Sequence, residues 1–327
     1  MLLIAHDERN EHMRELRKNP ITGEWVIISS ARSARPVLPE NACPLCPGVL
    51  ELEEDYDLAV FDNRFPALSL DAPEIIEEES VVEKGKAIGK CEVIMYTSNH
   101  NLAVPDMPVK QLAKLIEVWC DRYRELSKNR ELKYIYIFEN RGREVGATLD
   151  HAHGQLYAFP YLPPRVERKI EHTRQYYLSN GNCSLCDVLK DLPKANIIKS
   201  GKYFVSLVPP YARFPYECHI YPLRHVSFLT DLTAEEKWEL AEFIRDIAKR
   251  YDSFFEEKFP YMMMLFSAPY NTNELYDEFF HFHIEFNPPK RSKDKMKWMA
   301  SVETGSWNFI NPASPEEVAK ELREALD

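Results

Sequence analysis

One ordered set of elements occurs twice in this chain, and that duplication constrains the fold more than any other feature. Each half carries a CxxC pair, a strand ending in His, an amphipathic helix and a strand bearing His-x-His. In the first half these are Cys43 and Cys46, CEVIMYTSNH ending at His100, the helix after Pro108, YIYIFEN, and His151-Ala-His153. In the second they are Cys183 and Cys186, YECHIYPLRH ending at His225, a helix opened by the capping-box pattern Thr233-x-x-Glu236, YMMMLF, and His281-Phe-His283. The helices agree in register. Leu112, Leu115, Ile116, Trp119, Tyr123 and Leu126 have the offsets of Leu240, Phe243, Ile244, Ile247, Tyr251 and Phe254, one apolar face at helical period.

At 327 residues the chain exceeds one average domain, so two units are expected, each able to bury a core. We place the boundary in the proline-led, charged connector LPPRVERKIEHTRQYYLSNGN, which divides the chain into repeats over 1–165 and 166–327. Both are read as α+β units whose antiparallel sheets are covered by helices.

Zinc takes four nitrogen or sulfur ligands in a tetrahedron, and CxxC puts two thiolates on one turn for two distant histidines to complete. Cys43, Cys46, His100 and His151 supply one such set, and Cys183, Cys186, His225 and His281 supply another. A closed four-ligand site leaves no position for water, so both zincs are expected to be structural. For a single CxxC the alternative is a pair of buried free thiols; finding the same ligand order twice weighs against it. Zinc-ribbon modules on nucleic acid would use the same pairs, but a formal net charge of −11 and the lack of a basic stripe oppose binding to a polyanion. Charges interrupt the apolar start MLLIAHDERN at once, so neither a signal segment nor a membrane span is expected, and the protein is expected in the cytoplasm.

One histidine remains. Residues i and i+2 of a strand share a face, so His151 and His153 project side by side: one can hold the metal while the other faces a ligand. His-x-His can also bind one metal with both rings, although Cys43, Cys46 and His100 already fill three positions. A neutral imidazole is a competent nucleophile toward phosphorus, and Gln155, on the same face, can donate its amide where charge accumulates on a phosphoryl oxygen. The second half has Glu285 where Gln155 would be, and a carboxylate there repels phosphate, so the chemistry is assigned to the first half. Arg32, Arg35, Arg64, Arg141 and Arg143 are candidate phosphate partners through the guanidinium fork. Asn63 and Asn140 are candidates too, with turn formation as the plainer reading.

The segments NPITGEWVIISSARSARP, CPLC, VFDNRFPAL, SNH, FENRGREVGATLDHAHGQLYAFP and HFHIEFNPP, in that order, resemble the galactose-1-phosphate uridylyltransferase family across nearly the whole chain. The resemblance implies two histidine-triad-like repeats, a homodimer, and ping-pong transfer of UMP from UDP-glucose through a uridylyl-histidine to a hexose 1-phosphate. It implies His153 as nucleophile with Gln155 beside it, and first zinc ligands at Cys43, Cys46, His100 and His151. Nucleotide and phosphate contacts are implied at Arg32, Arg35, Asn63, Asn140, Gly146 and Thr148, with sugar-phosphate contacts at Lys297 and Glu303. Where the family's second metal has a Glu and three histidines, this chain has Lys169 and Phe266 at two positions, so that site is expected to be absent. Cys183, Cys186, His225 and His281 instead resemble the two-zinc relatives that include an ADP-glucose phosphorylase. Further departures are Asp150 in place of a proline and Val302 in place of a tyrosine. An NDP-sugar phosphorylase using the same histidine is the second reading, and a hydrolase the third.

Overall fold

The structure, a computed structural model, describes residues 13–30, 32, 43–75 and 80–326. Arg35 lies outside the described residues. The first half runs through β1 (Arg14–Lys18), β2 (Trp25–Ser29), β3 (Ala59–Asp62), β4 (Lys84–Lys86), β5 (Lys90–Met95), α1 (Val109–Leu126), β6 (Tyr134–Arg141) and β7 (His153–Phe159). After these come α2 (Pro164–Asn180), α3 (Ser184–Lys190), β8 (Ile197–Ser200), β9 (Phe204–Leu207), β10 (Cys218–Pro222), α4 (Ala234–Phe255), β11 (Tyr261–Phe266) and β12 (His283–Asn287). A short hairpin, α5 (Ser301–Ser306) and α6 (Pro315–Glu324) complete the described residues.

The antiparallel strands and covering helices expected of the α+β class are present, but the two sheets are continuous. Nine strands run in the order β3-β5-β7-β6-β11-β12-β10-β9-β8, every pair antiparallel. The halves join where β6 pairs with β11, with Arg141 opposite Tyr261 and Phe138 opposite Met264. Phe138 also faces Gln155, and Met264 faces Glu285, so each residue of the seam pair holds the same place in its own repeat. An internal twofold axis therefore passes through the seam. The physical reason for fusion is in the strands: YIYIF and YMMML are apolar on both faces, and as open edges they would leave ladder groups and apolar side chains in water.

Helices α1 and α4 lie side by side on one face. Leu112, Leu115, Ile116, Trp119 and Tyr123 are buried in one core with Leu240, Phe243, Ile244, Ile247 and Tyr251, each side chain contributing roughly 1.5–3 kcal/mol of transfer free energy. Phe254 is only partly buried, and Phe255 beside it takes the core position. The capping box forms as its residues dictate: Thr233 Oγ1 accepts from the Glu236 amide, and the Glu236 carboxylate accepts from the Thr233 amide at 2.7 Å. The charged connector is itself a helix, α2, because Val166 and Ile170 recur at helical spacing and bury against Tyr134, Met264 and Phe266 on the opposite face of the sheet. Gly181, at φ 72°, ends it in the left-handed conformation that costs glycine least. No helix among the described residues is long and apolar enough to cross a membrane.

Candidate active site

Cys43 and Cys46 sit on one tight turn, closed by the Cys46 amide donating to the Cys43 carbonyl. The chain then brings His100, beyond β5, and His151, just before β7, against it. The four ligand atoms lie within 4.8 Å of one another. His151 Nε2 donates to the Thr97 carbonyl at 2.8 Å, which orients Nδ1 toward both sulfurs, 3.8 Å from each. Cys183, Cys186, His225 and His281 repeat this arrangement, with His281 Nε2 donating to the Pro222 carbonyl. Burial holds His151 below the usual imidazole range and brings His281 down to about 3, so both rings are neutral donors. Burial also pushes the Cys43 thiol up and the Cys186 thiol up to about 12. Either cluster could hold a metal ion, and a cation arriving there must displace the thiol protons.

The first residue of β7 is His153. Its Nδ1–H donates to the His151 carbonyl at 2.8 Å, which assigns the proton to Nδ1 and the lone pair to Nε2. The cluster's ligand and this imidazole are thus coupled through one backbone carbonyl. His153 borders two cavities. One, of about 440 Å³, is lined by Glu51, Asn63, Arg64, Phe65, Thr148, Gln155 and neighbouring apolar side chains. The other, of about 240 Å³, is lined by Glu139, Asn140, Arg141, Asp150, Lys258, His100 and His151. Beneath His153 the strand needs a glycine: a Cβ on Gly154 would stand 2.5 Å from the Tyr96 hydroxyl. That hydroxyl belongs to a buried group with Glu139, whose carboxyl accepts from Tyr261 Oη at 3.2 Å and is raised to about 7 by burial.

The structure brings His153, Gln155, Asn63 and Thr148 to one cavity and Asn140 to the other. Asn63 Oδ1 also accepts from the Phe65 amide, so the residue is a turn former as well. Arg32 donates to the Phe65 carbonyl and to Tyr157 Oη and lines neither cavity. Gly146 caps a 3-10 turn at φ 78° and lines neither cavity. Arg141 is held in a two-pronged pair with Asp252, at 2.7 Å on each prong. Lys297 and Glu303 pair with each other and line neither cavity bordering His153.

In the second half, His283 repeats the His153 geometry, donating Nδ1–H to the His281 carbonyl at 2.8 Å. Here Lys169 Nζ lies 2.6 Å from Nε2, and Glu285 is paired with Lys169, Arg165 and Arg213. Burial brings His283 down to about 4 and Lys169 down to about 8, while the surrounding cations hold Glu285 well below the carboxylate range despite burial. Glu217 and His219 join this cluster, His219 Nε2 lying 2.8 Å from Glu217 Oε1. Sequence reasoning passed over Glu217, His219 and Arg213. The period-two run Glu217-x-His219-x-Tyr221 was the signal, since it sets these residues on one strand face, and His219 pairs in register with Glu285.

Sequence models of the N-terminal and C-terminal domains of galactose-1-phosphate uridyl transferase match residues 5–163 and 169–300. Galactose-1-phosphate uridylyltransferase of Thermotoga maritima is 54% identical over 95% of this chain and 98% of its own length. ADP-glucose phosphorylase of Arabidopsis thaliana is 27% identical over 95% of this chain and 92% of its own. Among solved structures, a uridylyltransferase superposes with a TM-score of 0.87 at 32% identity, over 95% of this chain and 98% of that one. The Arabidopsis thaliana ADP-glucose phosphorylase with bound ADP-glucose gives 0.75 at 26% identity, over 95% of this chain and 99% of that one.

Proposed function

The chain belongs to the galactose-1-phosphate uridylyltransferase family, and from that membership we infer that it is a UDP-glucose–hexose-1-phosphate uridylyltransferase. The observation that carries the mechanism is His153, its lone pair on Nε2, standing between two cavities. Nε2 attacks the α-phosphorus of UDP-glucose, the bond to the bridging oxygen breaks, and glucose 1-phosphate leaves with the electron pair. In the second half-reaction a phosphate oxygen of the hexose 1-phosphate attacks the same phosphorus and the imidazole departs. The Nδ1–H bond to the His151 carbonyl steadies the ring while it carries positive charge, and the Gln155 amide donates to the phosphoryl oxygens. The nucleotide takes the larger cavity beside Asn63 and Thr148, and Arg32, Arg35 and Gly146 are proposed as further nucleotide and phosphate contacts. Asn140 contacts the phosphates from the other side.

Both Cys/His clusters are assigned zinc in a structural role. Bonds of about 2.3 Å to sulfur and about 2.1 Å to nitrogen at the tetrahedral angle set the two ligands about 3.6 Å apart. Cys46 to His100 and Cys186 to His281, each at 3.5 Å, suit that spacing. Residues 1–165 are the catalytic repeat and 166–327 its partner repeat. A cytoplasmic homodimer completes the reading. The segment carrying Lys297 and Glu303 exposes Trp298, Met299, Val302, Trp307 and Ile310, an apolar run that suits cover by a second copy, where those two residues would serve the sugar phosphate.

An NDP-sugar phosphorylase is the second reading, favoured by the likeness to the ADP-glucose enzyme. Intact mass after mixing with UDP-glucose, and separately with ADP-glucose, tests both. A UMP adduct on the wild type and none on His153→Ala supports the transferase, and an AMP adduct discharged by inorganic phosphate supports the phosphorylase. No adduct from either nucleotide removes His153 as nucleophile.

A further inference from the structure

The sugar 1-phosphate that leaves in the first half-reaction and its counterpart that attacks in the second are both anionic, so the departing side of His153 needs a cation. Three described cations line the two cavities. Arg64 lies 3.8 Å from Glu51, Arg141 is tied on both prongs to Asp252, and Lys258, in the smaller cavity, pairs with no described carboxylate. Lys258 belongs to the second repeat, in the loop 256–260 between α4 and β11, and three contacts fix that loop against the site. The Phe259 amide donates to Asp252 Oδ1 at 3.0 Å, and the Phe259 carbonyl accepts from Arg141 at 3.4 Å. Gly142 abuts Pro260 so closely that a Cβ on it would stand 2.7 Å from the proline's own Cβ. The neighbouring carboxylate, Glu257, is taken by Lys290 at 2.7 Å, which leaves it no reason to draw Lys258 away.

We propose that Lys258 binds the phosphate of the sugar 1-phosphate in the smaller cavity beside His153, a contact made by the second repeat to chemistry carried out on the first. This rests on the uridylyl-transfer reading. Asp150 at the same cavity repels a phosphate and accepts from hydroxyls, so it turns the sugar ring toward itself and the phosphate toward Lys258.

The test is discharge of the uridylylated enzyme by galactose 1-phosphate, and separately by glucose 1-phosphate, in single turnovers of wild type, Lys258→Gln and Lys258→Arg. Loss of one charge-assisted contact raises the half-saturating sugar phosphate about tenfold in Lys258→Gln, with the limiting rate within about twofold of wild type and Lys258→Arg restoring most of the affinity. Unchanged half-saturation in Lys258→Gln overturns the assignment while the adduct itself stands. Equal loss in both variants also overturns it, since charge is then not what matters. A wild type that forms no adduct removes the uridylyl-transfer reading instead.

Discussion

Lys169 Nζ stands 2.6 Å from Nε2 of His283, on the ring nitrogen that corresponds to Nε2 of His153. The two histidines are held alike by their own strands. In the first repeat two cavities border the imidazole, and in the second a buried ammonium, itself paired with Glu285, caps it. Lys169→Met removes one partner of a buried ion network, and Glu285 keeps Arg165 and Arg213. The expected loss of stability is about 2–4 kcal/mol by denaturant titration, with the mass adduct still a single nucleotide. Two nucleotides per chain would show that Lys169 alone silences the second repeat.

Metal content separates the two clusters. Elemental analysis is expected to give two zinc ions per chain, falling to one in Cys183→Ser and in Cys43→Ser. Each variant loses folding free energy on the order of 5 kcal/mol, which for a chain of this size lowers Tm by ~7 °C. Chelation of the wild type lowers Tm further than either single variant. A Cys183→Ser protein with unchanged metal content would refute the second site.

Gly154→Ala is expected to destabilise by ~1–3 kcal/mol, because the added carbon meets the Tyr96 hydroxyl at 2.5 Å inside a closed core. Tyr96→Phe removes that oxygen, so the double variant recovers part of the loss in a double-mutant cycle. Strictly additive losses would mean that the strand, not the hydroxyl, resists the methyl group.

Glu139 gives the folded protein a pH slope of known sign. Its carboxyl titrates at about 7 in the folded state, raised from 4.5 mainly by burial, so between those values the folded chain binds more protons than the unfolded one. This group's contribution therefore falls as pH rises from about 4.5 to about 7, by on the order of 3 kcal/mol, and is flat above. Glu139→Gln removes that slope, so the difference in stability between variant and wild type shifts toward the variant as pH rises from 4.5 to 8. A difference that does not vary with pH would mean that Glu139 is ionised throughout.

The sequence makes the local and periodic features legible. Leu112 to Tyr123 and Leu240 to Tyr251 announce their helices, Thr233 and Glu236 announce a cap, and two CxxC pairs with two histidine pairs announce the clusters. It does not announce pairings set by the sheet. Nothing in YIYIF or YMMML says that these strands pair with each other, because either apolar run would satisfy any partner. Arg141 looked available for phosphate, and only the arrival of Asp252 from α4 ties it down. Arg32 likewise faces the Phe65 carbonyl, a partner fixed by how two loops meet. Lys258 carried no motif at all, since its place depends on where the α4–β11 loop docks.

The hydrogen-bonded seam between β6 and β11 has a kinetic meaning. A molecule whose halves share one ladder through its middle has no hinge there, so a nucleotide cannot be seized by one half swinging over the other. Loop chain at the cavity rims is still able to move, on nanosecond to microsecond times, faster than whole-domain swings. Entry and exit of the sugar nucleotide are then paced by rim loops over an unmoving floor, with His153 already in place before the substrate arrives.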